Sequence, residues 1–391
     1  MRENIEPAIA NRSVTVGRAY QAQYRTPPED YARVLRAPAI NAEPCLPPRG
    51  PAAGTGRVVS DGKGVRMLPP SLQGEILSRG DLVDLRVAED ETFTGSYVIS
   101  RDGTLKLPYL DPIPAQGRAP AEVVTDIRDG LVASDFYVET PPVSLLLTDF
   151  AAVRVAVSGA VFEPGAKDIG AVAGAEADAL RRVAFGASTE GRNLSVALRS
   201  AGGIRPDADL SAVEIRRAGA VWRVDLRDGF AGGAFDDVML VAGDEIVVPS
   251  RQCFQDELMV PGPFSPPGIT LFMSSLTVPA TSNSQAAIGR DVREVQWGTR
   301  FMQAVVDNNC VGGIRATSAN RAAALLSRNP ATGVSVVIER DIEEMLDRPD
   351  RDDYDPYLLP GDAIACYDST VTNVADLGRV LGTVAAVAAI D

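Results

Sequence analysis

The chain contains no histidine, which removes the side chain that most often acts as general base and metal ligand near neutral pH. Ser-His-Asp and Cys-His machinery therefore cannot be assembled within it. Its cysteines are Cys45, Cys253, Cys310 and Cys366. None forms a C-x-x-C pair, so a zinc site built on such pairs is excluded. In an oxidising compartment these thiols could close one or two disulfides; otherwise they read as buried free thiols, and spacing alone does not choose. The acidic stretch "DRPDRDDYDPY" holds Asp347, Asp350, Asp352, Asp353 and Asp355. Calcium takes several oxygen ligands, but this spacing fits no calcium loop and lacks the glycine at the bend, so the stretch reads as a solvated acidic loop. A glycosidase needs two carboxyls held at a defined separation, and nothing marks such a pair. Aromatic residues make up only 6%, with two tryptophans, Trp222 and Trp297. Trp222 sits in a strand pattern and reads as core rather than as a sugar platform. No G-x-x-x-x-G-K-[ST], G-x-G-x-x-G or G-x-S-x-G sequence is present. No catalytic residue, metal or cofactor is expected.

The elements that would position any binding chemistry belong to a chain of 391 residues, 45% apolar and 23% charged, enough for two to four domains with real cores. The net charge of -14 repels nucleic acid. Residues 1–64 are rich in Pro, Arg and Ala without a period, and "EPCLPPRGPAAGTG" reads as an extended linker; the segment is expected either to wrap over neighbouring structure or to be partly mobile. The opening residues hold no apolar run long enough for a secretion signal, and Cys45 lacks the apolar stretch that precedes a lipidated cysteine.

Beyond residue 65 periodicity appears. Val83, Leu85 and Val87 alternate on one face of a strand. Asp102-Gly103 lies between two apolar runs from Ser96 to Leu110, a hairpin signal in which both turn residues need positive φ. Val123, Val124, Ile127 and Leu131 fall at helical spacing, with Pro120 in the first turn. "VSLLLTDF" and "VRVAVSG" return to strand. The order suits a compact α+β domain over residues 65–152.

The rest of the chain reads as two copies of one unit. "VAVSGAVFEPG" (Val155 to Gly165) resembles "LMVPGPFSPPG" (Leu258 to Gly268), each an apolar strand meeting a glycine. "ALRSAGGI" resembles "VDNNCVGGI", each a helix closed by Gly-Gly. "LVAGDEIVVPS" resembles "LLPGDAIACYD", where Gly-Asp turns into a last strand. The first copy spans 153–250 and adds a hairpin around Ala218-Gly219. The second spans 251–369 and adds a helix over "ATSANRAAALLSR" and a strand at "GVSVVIE". Residues 370–391 form a final amphipathic helix. Thr372, Asp376, Arg379 and Thr383 make one polar stripe, and Val374, Leu377, Val380, Leu381, Val384 and Val387 cover the rest. About 20 residues of helix span roughly 30 Å, the thickness of a bilayer's hydrocarbon core.

The series of Gly-Asp strand, "RDGTLKLPYL", helix and "VAVSGAVFEPG" resembles the polysaccharide export domain of the Wza-like outer-membrane polysaccharide export proteins. The repeated units resemble the soluble ligand-binding (SLBB) β-grasp domains that follow it there, and the final helix is similar to that family's membrane segment. The resemblance covers residues 65–391. It implies an α+β chain: an export domain, two β-grasp-like SLBB domains, the second enlarged, and a C-terminal amphipathic membrane helix. It further implies a homo-oligomeric ring, octameric in this family, in the outer membrane and periplasm of a Gram-negative bacterium. That ring would export capsular or exopolysaccharide with an inner-membrane polysaccharide co-polymerase or ABC transporter. In it Thr372, Asp376, Arg379 and Thr383 would line the pore and Leu377, Val380, Leu381, Val384 and Val387 would face lipid. The residues by themselves also allow a soluble periplasmic β-grasp scaffold that binds glycan or a partner protein without spanning the membrane.

Overall fold

The computed structural model describes residues 45–50, 72, 74–170, 190–266, 268–275, 291–308, 310–311, 321–331, 333–347 and 354–367. The expected terminal helix at 370–391 and most of the N-terminal extension lie outside these residues. The chain divides into two compact units, Leu46–Gln252 with Gly262–Pro266, and Cys253–Pro261 with Pro267–Asp391 and Met1–Cys45.

The first unit opens with β1 (Leu82–Val87), β2 (Asp90–Val98), β3 (Thr104–Leu105), β4 (Ile113–Pro114), α1 (Pro120–Ala133) and β5 (Val143–Asp149). Its three-stranded sheet runs β2-β1-β5, antiparallel throughout. The strand alternation buries Val83, Leu85 and Val87 against Val123, Ile127 and Leu131 of α1, with Val143, Leu145 and Leu147 of β5 beside them. Pro120 starts the helix where its missing N–H costs nothing, and the Glu122 carboxylate reaches back to the Ala119 N–H at 3.3 Å.

The turn at Asp102-Gly103 forms, but not the expected hairpin. Gly103 has φ 82° while Asp102 stays outside the left-handed region. β2 is already paired with β1, so Thr104–Leu105 pairs with Ile113–Pro114 instead. The Gly103 carbonyl then accepts the N–H groups of Ala115 and Gln116, at 2.9 Å each.

The same unit continues with β6 (Val153–Gly159), β7 (Gly165–Ile169), α2 (Leu194–Ser200), β8 (Val213–Arg217), β9 (Ala220–Val224), α3 (Arg227–Phe230) and β10 (Glu245–Val248). The five strands run β7-β6-β10-β8-β9, with β10 parallel to β6 and the other pairs antiparallel. Ala218 (φ 49°) and Gly219 (φ 81°) make the hairpin turn between β8 and β9. Trp222 is half-buried on edge strand β9, opposite Ile215. Residues 46–50 lie across this unit: the Leu46 N–H donates to the Arg251 carbonyl, the Arg49 N–H to Asp209 and the Gly50 N–H to the Ser211 hydroxyl.

The second unit holds β11 (Ile269–Ser275), β12 (Asp291–Val295), α4 (Phe301–Asp307), β13 (Ala322–Arg328), β14 (Ser335–Asp341), α5 (Ile342–Asp347) and β15 (Ala363–Tyr367). Its sheet runs β12-β11-β15-β13-β14, with β15 parallel to β11 and the rest antiparallel. The two five-stranded sheets thus share strand order and every pairing direction.

Two segments fold differently from what their sequence leads one to expect. "ATSANRAAALLSR" is no helix where it is described: Ala322–Arg328 is the strand β13. Alanine favours helix, but Ala323 and Leu325 alternate inward between two neighbouring strands, and that packing overrides propensity. Likewise "LMVPG" is not the first strand of the second copy. Asp256–Met259 forms a 3-10 turn, with the Trp297 indole N–H donating to the Leu258 carbonyl at 2.9 Å. Prolines 261, 263 and 266 cannot donate to a ladder, so the opening strand of the second sheet falls later, at β11.

All four cysteines are paired, as Cys45–Cys253 and Cys310–Cys366. A thiol in a disulfide carries no lipid, so Cys45 is not an acylated anchor in this state. Cys310–Cys366 joins residues 56 positions apart, tying the end of α4 to the central strand β15. By loop-closure entropy, replacing both cysteines by alanine is expected to cost about 2–4 kcal/mol, read as a lowered urea midpoint of the second unit.

Candidate functional site

One turn occurs three times, each time leading into the central strand of a sheet. Ser78–Asp81 precedes β1, Val241–Asp244 precedes β10 and Leu359–Asp362 precedes β15. In each the third residue is a glycine in the left-handed region, Gly80 (φ 88°), Gly243 (φ 92°) and Gly361 (φ 85°), where a side chain would be strained. In each the aspartate carboxylate accepts the N–H of the first residue, at 2.7, 2.9 and 2.9 Å. All three aspartates are buried. A buried carboxylate is costly unless paired, so its partner matters.

Asp81 is paired with Arg192, far along the chain. The Arg192 Nη1 donates to both carboxylate oxygens, at 2.7 and 3.0 Å, and both side chains are sealed, at 1% and 0% exposure. The guanidinium also donates to the Leu240 carbonyl from Nε and Nη2, at 3.2 Å each, and lies 5.2 Å from the centre of the Phe150 ring. Ala151 N–H supplies another donor to Asp81. Burial raises the Asp81 carboxyl, opposed by Arg192 and by the backbone N–H groups of Ser78 and Ala151. The neighbouring Glu75 is raised too, by burial and then by Asp81.

Around this pair the three-stranded domain is keyed to the first five-stranded sheet's turn. The Ser78 hydroxyl accepts the Ala242 N–H at 3.1 Å, and the Gln116 amide donates to the Ala242 carbonyl at 2.8 Å. Ile76 packs with Met239 and Val241. The junction's ion pair is buried and hydrogen-bonded from both sides, which suits it to setting an angle between the two sheets.

The exposed feature of the three-stranded domain is aromatic. Tyr109 is 78% exposed, Phe136 45% and Val138 99%. Phe136 meets the buried Phe93 edge-on at 5.3 Å between ring centres, and Tyr109 lies 6.1 Å from Phe136. Tyr109 holds φ 60°, a conformation that costs a non-glycine residue roughly 1–3 kcal/mol and clusters at functional positions. Beside this platform the Tyr137 hydroxyl donates to Asp90 at 2.6 Å. That bond holds the Asp90 carboxyl below its ordinary value and pushes the Tyr137 phenol up to about 12. Aromatic faces beside an ionised carboxylate fit sugar rings, whose C–H faces meet π-clouds and whose hydroxyls donate to carboxylates.

The residues singled out from sequence, Thr372, Asp376, Arg379 and Thr383 with Leu377, Val380, Leu381, Val384 and Val387, lie outside the described residues. So do Asp350, Asp352 and Asp353 of the acidic stretch, whereas the Asp355 carboxylate caps the start of α4 by accepting the Met302 N–H at 2.7 Å. Among the described residues no cluster of His, Cys, Asp or Glu could hold a metal ion. Nor is any helix among them long and apolar enough to cross a membrane. Sequence reasoning missed the Asp81–Arg192 pair and the Tyr109–Phe136 platform. The thrice-repeated Gly-Asp was the available signal for the first; exposure, the mark of the second, leaves no periodic trace.

Arg192→Met leaves a buried carboxylate without its cation and is expected to cost about 3–5 kcal/mol in urea unfolding. Adding Asp81→Asn removes that charge, so the double variant should be more stable than Arg192→Met alone.

Residues 69–148 match the family model described as polysaccharide biosynthesis/export protein, so the chain carries that family's export domain. The match takes in the whole three-stranded sheet short of the last residue of β5, with α1. No curated protein matches the chain.

Proposed function

We propose that this chain is a subunit of an outer-membrane and periplasmic translocon through which capsular or exopolysaccharide leaves a Gram-negative cell. The observation that carries this reading is the export domain at residues 69–148. That family is one of transport rather than catalysis, and its setting is the Gram-negative envelope. The two disulfides agree with an oxidising compartment.

In this reading the two five-stranded units are β-grasp domains of the SLBB type, supported by their shared strand order. The subunits close into a homo-oligomeric ring, octameric by family resemblance, working with an inner-membrane co-polymerase or ABC transporter. Support for assembly comes from β14, an edge strand with Val336 and Val337 exposed beside Leu326, since long apolar edges invite pairing with another chain. The Tyr109–Phe136 platform touches the passing glycan. The double variant Tyr109→Ala/Phe136→Ala should lower polysaccharide export severalfold while light scattering in mild detergent still gives the assembled particle. A monomeric wild-type chain in that measurement would overturn the ring.

Residues 370–391 are assigned to the membrane by their sequence pattern, with Thr372, Asp376, Arg379 and Thr383 toward water and the apolar arc toward lipid. Val384→Asp then puts a charge in hydrocarbon at a cost of roughly 2.5–3.5 kcal/mol per helix, and fractionation should find the variant outside the membrane. Thr383→Asp should fractionate with membranes as the wild type does. Equal behaviour of the two variants would remove the membrane stave and favour the soluble scaffold.

A further inference from the structure

The turn Leu359–Asp362 is built like Val241–Asp244 in every bond of the turn itself. In both, the aspartate N–H donates to the first residue's carbonyl at 3.1 Å, and the first residue's N–H donates to Oδ2 at 2.9 Å. The two differ in what faces the carboxylate from the neighbouring strand. In the first unit Arg217 grips Asp244 with two bonds, Nε to Oδ1 at 2.9 Å and Nη2 to Oδ2 at 2.7 Å. Register identifies the matching position in the second unit. Arg216 pairs with Glu245, the residue after Asp244, and Leu326 pairs with Ala363, the residue after Asp362. The next residue along the strand is therefore Arg217 in one unit and Ser327 in the other. Ser327 bonds the Asp362 carboxyl but brings no charge.

No other cation takes the place of the missing one among the described residues. The flanking strand β11 and β15 itself carry no charged residue. On β13 the charge is Arg328, whose Nε donates to the Gly333 carbonyl. On β14 they are Glu339, Arg340 and Asp341, and Arg340 is held on Tyr354, donating to its carbonyl at 2.9 Å and lying 4.5 Å from its ring centre. β12 carries Asp291, Arg293 and the exposed Glu294, and it is separated from β15 by β11. None of these acts on Asp362, whose neighbours are the Leu359 N–H and Ser327.

We propose that Asp362 is a proton-responsive latch on the central strand of the second unit, created by serine standing where the first unit has arginine. A proton on this carboxyl removes an uncompensated buried charge and tightens the turn and β15; its loss loosens them. Burial pushes the Asp362 carboxyl up to about 6 from an ordinary 3.8. The folded unit therefore binds the proton more tightly than the unfolded one. Stability is full below the ordinary value and is lost as pH rises through about 6, so the window lies between about 4 and 6.

The test is hydrogen exchange on the intact chain between pH 5 and pH 7, corrected for the chemical exchange rate, with peptides covering Leu359–Tyr367 and Val241–Val248. Protection of Leu359–Tyr367 should fall about tenfold across that range, while Val241–Val248 stays level. Asp362→Asn keeps an acceptor for the Leu359 N–H and should abolish the pH dependence. Ser327→Arg should restore the arginine pair and retain protection at pH 7. If Ser327→Arg fails to fold, Asp362→Asn decides alone. A wild-type peptide whose protection does not change with pH, or a pH dependence that survives Asp362→Asn, would overturn the latch.

Discussion

The Gly-Asp turn is the constraint on which the rest of the structure hangs. It places a carboxylate inside the protein at the head of the central strand of each sheet: Asp81 before β1, Asp244 before β10 and Asp362 before β15. The carboxylate fixes the turn by accepting a backbone N–H, and the glycine supplies the left-handed conformation that the turn needs. Burying such a group demands compensation, and each copy meets the demand differently. Asp244 is met within its own sheet by Arg217. Asp81 is met by Arg192, which lies on the approach to α2 in the neighbouring fold. Asp362 is met by a hydroxyl alone.

The choice made at Asp81 has the widest structural consequence. Because its cation comes from outside the three-stranded domain, the ion pair also joins that domain to the five-stranded sheet that follows. The Leu240 carbonyl, the Ser78 hydroxyl and the Gln116 amide complete a polar seam around it. A sealed charge pair bonded across the junction ties the three-stranded domain to that sheet without relying on apolar contact alone. The disulfides work at longer range, closing chain separations of 208 and 56 residues.

Much of this was legible in the sequence because it follows from local rules. The alternation of Val83, Leu85 and Val87 and the helical spacing of Val123, Ile127 and Leu131 mark the core of the export domain, and the structure buries all six. The Gly-Asp anchors and Ala218-Gly219 mark turns that form. What misled was local as well. Ala322–Arg328 has helical composition but lies between two strands, and "LMVPG" has strand composition but is interrupted by proline and folded as a 3-10 turn. Asp81 and Arg192, by contrast, are 111 residues apart, and no pattern in either neighbourhood announces the other. Tyr109 and Phe136 come together only because the β3–β4 loop and the end of α1 meet in space.

The chain has no histidine and no phosphate-binding loop, exposes aromatic side chains near Asp90, and spends its buried charge on architecture. The proposed function requires that polysaccharide leave the cell through an assembly containing this chain. The most direct measurement is the extracellular polysaccharide of a Gram-negative host from which the chain has been deleted. Loss of surface and released polysaccharide, restored by the wild-type chain, is the predicted result. Unchanged polysaccharide outside the cell in the absence of the chain would contradict it.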